Sequence, residues 1–435
     1  MREVSDCGYI VTLSSPEWRA GTLIAGRRRA VVDFDLPTEI KDLQGRVRTF
    51  VNDDVLPAEL EIGEELEGPG FDDVLSRLRK RAQEEGLFNP HLPAEWGGLG
   101  LNALGMAIVS QECGVSGLAS LALNAMAPDE GNMHLLLHAG SPDQLERYLR
   151  PLAEGEARSC FAMTEPGAGS DPTGLSARAD VADDGWVLNG AKWFITGAMG
   201  ARFGIVVAKS EPDAEPRRSY SLFLVDAANP GWKVVRDIPV MGARSPGGHC
   251  EVLLENCRVG EDALLGERGE GLKLAQVRLG PARLAHAMRW IGVAQRTLDL
   301  AAERALQRET FGEPLAKRQS VQNWLADSAI ELYASRLMVL HAAYLIDKDD
   351  DFRQEVSMAK VFISEALGRI VDRALQLYGS LGYSGDVPLE RFYRDARAAR
   401  IYDGASEVHR MVIARNVLKA AAAGTGTKGA TGGLA

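Results

Sequence analysis

The stretch "IYDGASEVHR" at 401–410 sets one carboxylate, Asp403, between the aromatic Tyr402 and the small residues Gly404, Ala405 and Ser406. An acid among such neighbours is either part of an Asp–Gly turn or a general base, since burial raises a carboxylate's proton affinity. A second stretch, "CFAMTEPGAGSDP" at 160–172, carries chemistry of another kind. Gly167, Ala168 and Gly169 let backbone amides crowd an anionic or ring-shaped ligand, and Ser170 adds a hydroxyl donor. The third glycine of GxGxxG is missing and Pro172 blocks a continuing helix, so this is not a dinucleotide fingerprint; alone, it reads as an ordinary loop. The five cysteines (Cys7, Cys113, Cys160, Cys250, Cys257) are scattered and never spaced as CxxC. They offer neither a disulfide framework nor a zinc site and suit a reducing compartment. His134 and His138 lie four apart without the glutamate of HExxH and read as surface or packing residues, so no metal site is expected.

The elements that must hold these groups fall into three blocks. From about 36 to 157 the pattern is helical; "SPDQLERYLRPL" opens with Ser141 as N-cap, Pro142 at the first helical position and Gln144 completing a capping box. From 158 to 267 short runs ("WVLNG", "FGIVVAKS", "YSLFLVD", "WKVVRD", "CEVLLENCRV") separated by turn residues read as strands of an antiparallel sandwich or barrel. From 268 to 420 the period returns to 3.6: Leu284, Met288, Ile291 and Leu298 share one face, and Ala359, Ile363, Leu367, Ile370, Ala374 and Leu377 another, as in a helical bundle. Residues 1–35 are expected to be a flexible leader and 421–435, rich in Gly, Ala and Thr, a disordered tail. The order helices, β domain, helical bundle is α+β and multidomain, not the βαβ alternation of a dinucleotide fold.

Over 435 residues the formal charge is −11, which argues against a general nucleic-acid or anionic-membrane binder but leaves room for one basic pocket. The longest apolar runs, such as "LLLH" at 135–138, fall far short of the roughly 20 residues of a bilayer span.

With "KWFITGA" (192–198), "RETFGEPLAKRQ" (308–319), "QLYGSLGY" (376–383) and "IYDGAS" in order after the glycine-rich segment, the sequence resembles the acyl-CoA dehydrogenase family over about residues 36–420. The segments "NAMAPDEGNM" (124–133) and "LGPARLAHAMR" (279–289), with the aspartate of the last motif, look closest to one branch. Animal members of that branch fuse the dehydrogenase to a phosphotransferase-like domain, which is not expected here. The resemblance implies bound FAD, with Phe161, Met163, Thr164, Gly169 and Ser170 against flavin, ribityl or pyrophosphate and Ser170 also near the CoA arm. Thr196 would sit near flavin N5, and Phe194 takes the place of a tryptophan that covers the ring. Arg308, Phe311 and Gln319 match residues that reach the ADP half of FAD on a neighbouring subunit, and Gln376, Gly379 and Gly382 the opposing loop. A homodimer or homotetramer is therefore expected. Two departures stand out: Ala405 replaces the family threonine, and Glu407 the family glutamine, placing a negative charge where FAD contacts are usual.

In the family a base removes the α-proton of an acyl thioester while the base's own N–H and the ribityl 2′-hydroxyl hold the carbonyl oxygen. That assigns Asp403 as base, with Tyr402, Gly404 and Arg283 along the substrate, and Tyr402 and the flavin raising its pKa by desolvation. Most relatives carry glutamate there; a second branch places it at the position of Ala282, which cannot act. The expected function is FAD-dependent α,β-dehydrogenation of an acyl-CoA, with an electron-transfer flavoprotein as acceptor and a cytoplasmic location, the mitochondrial matrix being the other compartment open. Three alternatives stand beside it: a nitroalkane oxidase-like flavin oxidase, elimination from a γ-substituted acyl-CoA, and a flavin-binding interaction protein without catalysis.

Overall fold

The computed structural model describes residues 35–424 apart from 64, 65, 67, 243 and 244; the leader and most of the tail lie outside them. The first block contains the principal helices α1 (Thr38–Phe50), α2 (Pro69–Glu84), α3 (Ala103–Cys113) and α4 (Asp129–Ala139). The apolar faces of α1, α2 and α3 meet in a core that includes Val47, Phe50, Leu78 and Val109, whereas Leu135 and Leu136 of α4 pack towards the sheet. The capping box at Ser141 forms as its sequence requires, with the Gln144 N–H bonded to the serine hydroxyl.

The central block is one eight-stranded sheet: β1 (Ser159–Ala162), β2 (Arg178–Ala182), β3 (Gly185–Thr196), β4 (Phe203–Lys209), β5 (Tyr220–Asp226), β6 (Trp232–Asp237), β7 (His249–Gly260) and β8 (Leu264–Leu265). The order is β6-β7-β3-β2-β4-β5-β8, with β1 added against β4. The sheet is not wholly antiparallel, because β1 and β2 both run parallel to β4. The hairpin of β2 and β3 accounts for this: the chain leaves β3, crosses over, and enters β4 on the far side of β2. Strands β4 and β5 are buried on both faces, which is why they read as continuous apolar runs. Phe203, Ile205 and Val207 turn towards Leu135, Leu136 and Leu149 of the helical block, while Val206 and Ala208 join Trp186, Trp232 and Val252 inside the β domain.

The third block is α5 (Gly271–Gln307), a short hairpin of β9 (Glu309–Thr310) and β10 (Glu313–Pro314), α6 (Gln319–Asp347), α7 (Arg353–Tyr378), α8 (Leu389–Ala398) and α9 (Ser406–Ala422). The faces anticipated from periodicity are buried together. Helix α9 runs to Ala422, so residues 421 and 422 are helical rather than tail. Helix α6 is long and apolar enough to cross a membrane by length and composition, although no single run announces it. Its Leu332, Val339, Ala342 and Ala343 are buried in the bundle. At the junction of the first and third blocks the backbones touch: a Cβ on Gly292 would lie 2.2 Å from the Gln111 carbonyl oxygen, and one on Gly114 2.1 Å from that of Arg289. Only glycine permits that approach of α3 to α5.

One ion pair ties the glycine-rich segment to the sheet. Lys192 on β3 is fully buried and donates to Glu165 (2.8 Å) and to the carbonyls of Met163 and Val207. Glu165 accepts in turn from the Ser176 N–H and hydroxyl and the Ala177 N–H. Burial pushes the Lys192 ammonium down to about 8 against the pull of Glu165. Removing one partner strands the other charge, so Lys192→Met should lose about 3–5 kcal/mol of stability, read from the denaturant midpoint.

Candidate active site

The loop between α8 and α9 is held by three side chains on its backbone carbonyls. Arg283 of α5 donates to the Asp403 carbonyl at 2.9 Å, His409 of α9 lies 3.3 Å from the same oxygen, and Lys360 of α7 donates to the Gly404 carbonyl at 2.6 Å. The clamp holds an uncommon backbone: Asp403 has φ +52° and Gly404 φ +97°. Aspartate is among the few non-glycine residues that tolerate this region, so its shortness suits the loop. Glycine at 404 is required twice over, since a Cβ there would lie 2.7 Å from the His409 Nε2. Among the described residues the Asp403 N–H meets no acceptor, which leaves it free to donate outward.

The Asp403 carboxylate points inward and is 23% exposed. Its Oδ2 lies 3.0 Å from His286 Nε2, one turn along α5 from Arg283. The expected net rise in its pKa is not what the surroundings produce. Burial does push it up, but the His286 hydrogen bond and the charges of Arg278 and Arg283 outweigh that and hold the carboxyl well below the usual range. The base is kept ionised. Ala282 is buried and inert, as its side chain dictates.

A second face lies on the β domain. The Trp193 N–H donates to the Thr164 carbonyl at 2.8 Å, stitching the end of β1 to β3. Phe161 and Met163 are half-buried there, while Gly169 and Ser170 are exposed and a Cβ on Gly167 or Gly169 would meet nothing within 4 Å. Phe194 sits in a bulge of β3 at φ +56°, which turns its ring outward to 49% exposure, edge-on to Trp193. The Thr196 hydroxyl is 2.9 Å from His249 Nδ1. Arg278 links this face to the base: buried on α5, it stacks 4.3 Å from the Phe161 ring and donates to Asn132.

The remaining site residues of the sequence lie elsewhere. Arg308, Phe311, Gln319 and Gln376 are exposed at the other end of the bundle, where the Tyr378 hydroxyl ties α7 to the Leu300 carbonyl of α5. Phe311 is 98% exposed at φ +53°. Gly379, at φ +65°, closes α7, whereas Gly382 is buried, and a Cβ there would lie 2.8 Å from the Leu375 carbonyl oxygen. Arg283 donates from its guanidinium to the Asp403 carbonyl and to Gln276. Glu407 is exposed in the first turn of α9, where the helix N-terminus offsets its charge.

Residues 37–156, 160–257 and 269–418 match in turn the N-terminal, middle and C-terminal domains of acyl-CoA dehydrogenase. The chain belongs to the acyl-CoA dehydrogenase family. As a member it is an oxidoreductase acting on CH–CH bonds, with FAD as cofactor. It is 38% identical over 395 residues to the probable acyl-CoA dehydrogenase FadE2 of Mycobacterium tuberculosis, covering 88% of this chain and 96% of that one. It is also 38% identical over 357 residues to acyl-CoA dehydrogenase family member 10 of Mus musculus, covering 80% of this chain but spanning only 33% of that much longer protein. The structure of a putative acyl-CoA dehydrogenase from Mycobacterium abscessus superposes with a TM-score of 0.84 at 37% identity, covering 89% and 99% of the two chains. The FAD complex of PigA superposes at 0.79 with 27% identity, covering 88% and 98%.

The β-domain face fits the family's cofactor. Open glycine amides, a hydroxyl at Thr196 and an aromatic ring turned outward are what a flavin with its phosphates requires. Phe161, Met163, Thr164, Gly169, Ser170, Phe194 and Thr196 would hold it. Sequence reasoning missed Lys360, His409, His286 and Arg278. Each looks like an ordinary helix residue until the fold brings three helices, α5, α7 and α9, to one loop. Gly404→Ala should displace His409 and slow acyl-CoA-dependent flavin reduction by about 10²-fold with FAD content unchanged, measured by stopped-flow bleaching.

Proposed function

We propose that this protein oxidises an acyl-CoA thioester to its α,β-enoyl form, with Asp403 taking the α-proton. The observation that carries the reading is an ionised, largely buried carboxylate whose own N–H is unspent, joined through Arg278 to a face that fits flavin. The unspent Asp403 N–H supports a role in holding the thioester oxygen as enolate charge develops. FAD, when bound, supplies the acceptor for the hydride that leaves the β-carbon. Arg283, His409 and Lys360 keep the N–H and carboxylate of the same residue in register, which a general base and a carbonyl donor both need. The aspartate base and the likeness to family member 10 support the branch reading, and an electron-transfer flavoprotein is the proposed acceptor. One observation favours a second reading. Arg278, Arg283 and Lys360 surround the base and would steady an anionic γ-substituent leaving after α-deprotonation.

Anaerobic mixing with a panel of acyl-CoAs tests these. Bleaching of the flavin supports dehydrogenation; product without bleaching supports elimination. Asp403→Asn keeps the shape and the N–H but cannot accept a proton, so reduction should fall by about 10²–10⁴ while acyl-CoA binding survives. Reduction at the wild-type rate would make Asp403 a turn residue only.

The assembly reading rests on distance. From Arg283 to Arg308 along α5 is about 37 Å at roughly 1.5 Å per residue, so Arg308 serves a second copy's cofactor more readily than its own. The exposed Leu306 and Phe311 at that end, with Ile330 and Tyr333 further along α6, support a homodimer or homotetramer. Arg308→Ala should release FAD without unfolding the bundle, and a monomer that keeps FAD tightly would contradict the shared site.

A further inference from the structure

We propose that His286, locked as its Nε2–H tautomer by Arg289, is the positioning residue that aims the Asp403 carboxylate. The inference rests on Asp403 being the base but reads a different property. Arg289 Nη2 lies 3.1 Å from His286 Nδ1. A guanidinium can only donate, so Nδ1 must be the lone-pair nitrogen and the ring proton must sit on Nε2. That proton is the donor facing Asp403 Oδ2 at 3.0 Å. Arg289 is itself fixed, 3.4 Å from the Ala125 carbonyl and 3.7 Å from Glu130, and only 6% exposed. The ring is held between two aromatics: it stacks on Trp290 with centroids 5.9 Å apart at 24°, and Tyr402 meets it edge-on at 5.0 Å. The Trp290 indole N–H closes this cage on the Tyr402 hydroxyl at 3.1 Å.

The arrangement excludes His286 as the base, because one nitrogen carries the proton and the other is taken by Arg289. Burial and the Arg289 charge both disfavour the imidazolium. What remains is a neutral donor that orients and stabilises the ionised carboxylate, as an aspartate one methylene shorter than the usual glutamate requires. The other groups facing the pair are Arg278 and Arg283 of α5, Glu130 of α4, Lys360 of α7 and His409 of α9. None of them touches the carboxylate oxygens within hydrogen-bond distance.

Two substitutions separate orientation from packing. His286→Phe keeps the stacked ring and deletes the donor; His286→Gln keeps both contacts, its amide N–H towards Asp403 and its carbonyl towards Arg289. In FAD-loaded protein labelled with [4-13C]aspartate, the Asp403 signal is assigned by its loss in Asp403→Asn and titrated without substrate. His286→Phe should raise its midpoint by about one pH unit or more and move the acid limb of flavin reduction upward with it, while His286→Gln should leave both near wild type. Arg289→Met is the independent arm: with Nδ1 released, the His286 ring should titrate at higher pH than in wild type. An unmoved carboxylate in His286→Phe, or an unmoved ring in Arg289→Met, overturns the proposal. These titrations do not depend on turnover, so they fail or succeed separately from the base assignment.

Discussion

The buried pair of Lys192 and Glu165 is the interaction on which the cofactor face depends. Two charges placed in a dry interior are tolerable only when every donor and acceptor is used, and here they are. The ammonium spends its three protons on Glu165, Met163 and Val207, and the carboxylate takes up the N–H groups that open the segment after the glycine turn. The result is a turn pinned at its root and open at its rim, where Gly167 and Gly169 face free space. A loop rich in glycine loses much conformational freedom on ordering. The rigid root offsets that loss before any ligand arrives.

The base is held by a different logic. The helical blocks meet where Gly114 and Gly292 allow backbone contact, and this sets α5 against α3 and α4. From α5 the side chains of Arg278, Arg283, His286 and Arg289 then project at helical spacing towards one loop. Three of the four are cations in a protein whose formal charge is −11. Net charge therefore says little about this pocket, which concentrates positive charge around Asp403 and Glu130.

Much of the architecture was legible in sequence because its signals are periodic. Alternation and turn residues placed the strands, and the faces of Leu284 and Ile363 placed the bundle. The parallel entry of β4 was not legible, since apolar runs buried on both faces do not state their direction. Within the site, Asp403 and the glycine-rich turn were visible through local composition, while Lys360 and His409 were not, because what they grip is backbone carbonyl. The error over the acidity of Asp403 has the same origin. Burial can be guessed from neighbours in the chain, but the imidazole that overrides it stands 117 positions away, at residue 286 against 403.

The left-handed backbone at Asp403 has a consequence for how such a site could change over generations. Residue 403 must at once accept a positive φ, offer its N–H outward and send a carboxylate to His286. Few side chains satisfy all three, and a longer acid would meet the imbalance of a ring already fixed by Arg289. Substitutions at 286, 289 and 403 should therefore be strongly epistatic, each harmful alone and tolerable only in matched sets. A lineage exchanging aspartate for glutamate here would cross a fitness valley unless the loop clamp and the imidazole changed together.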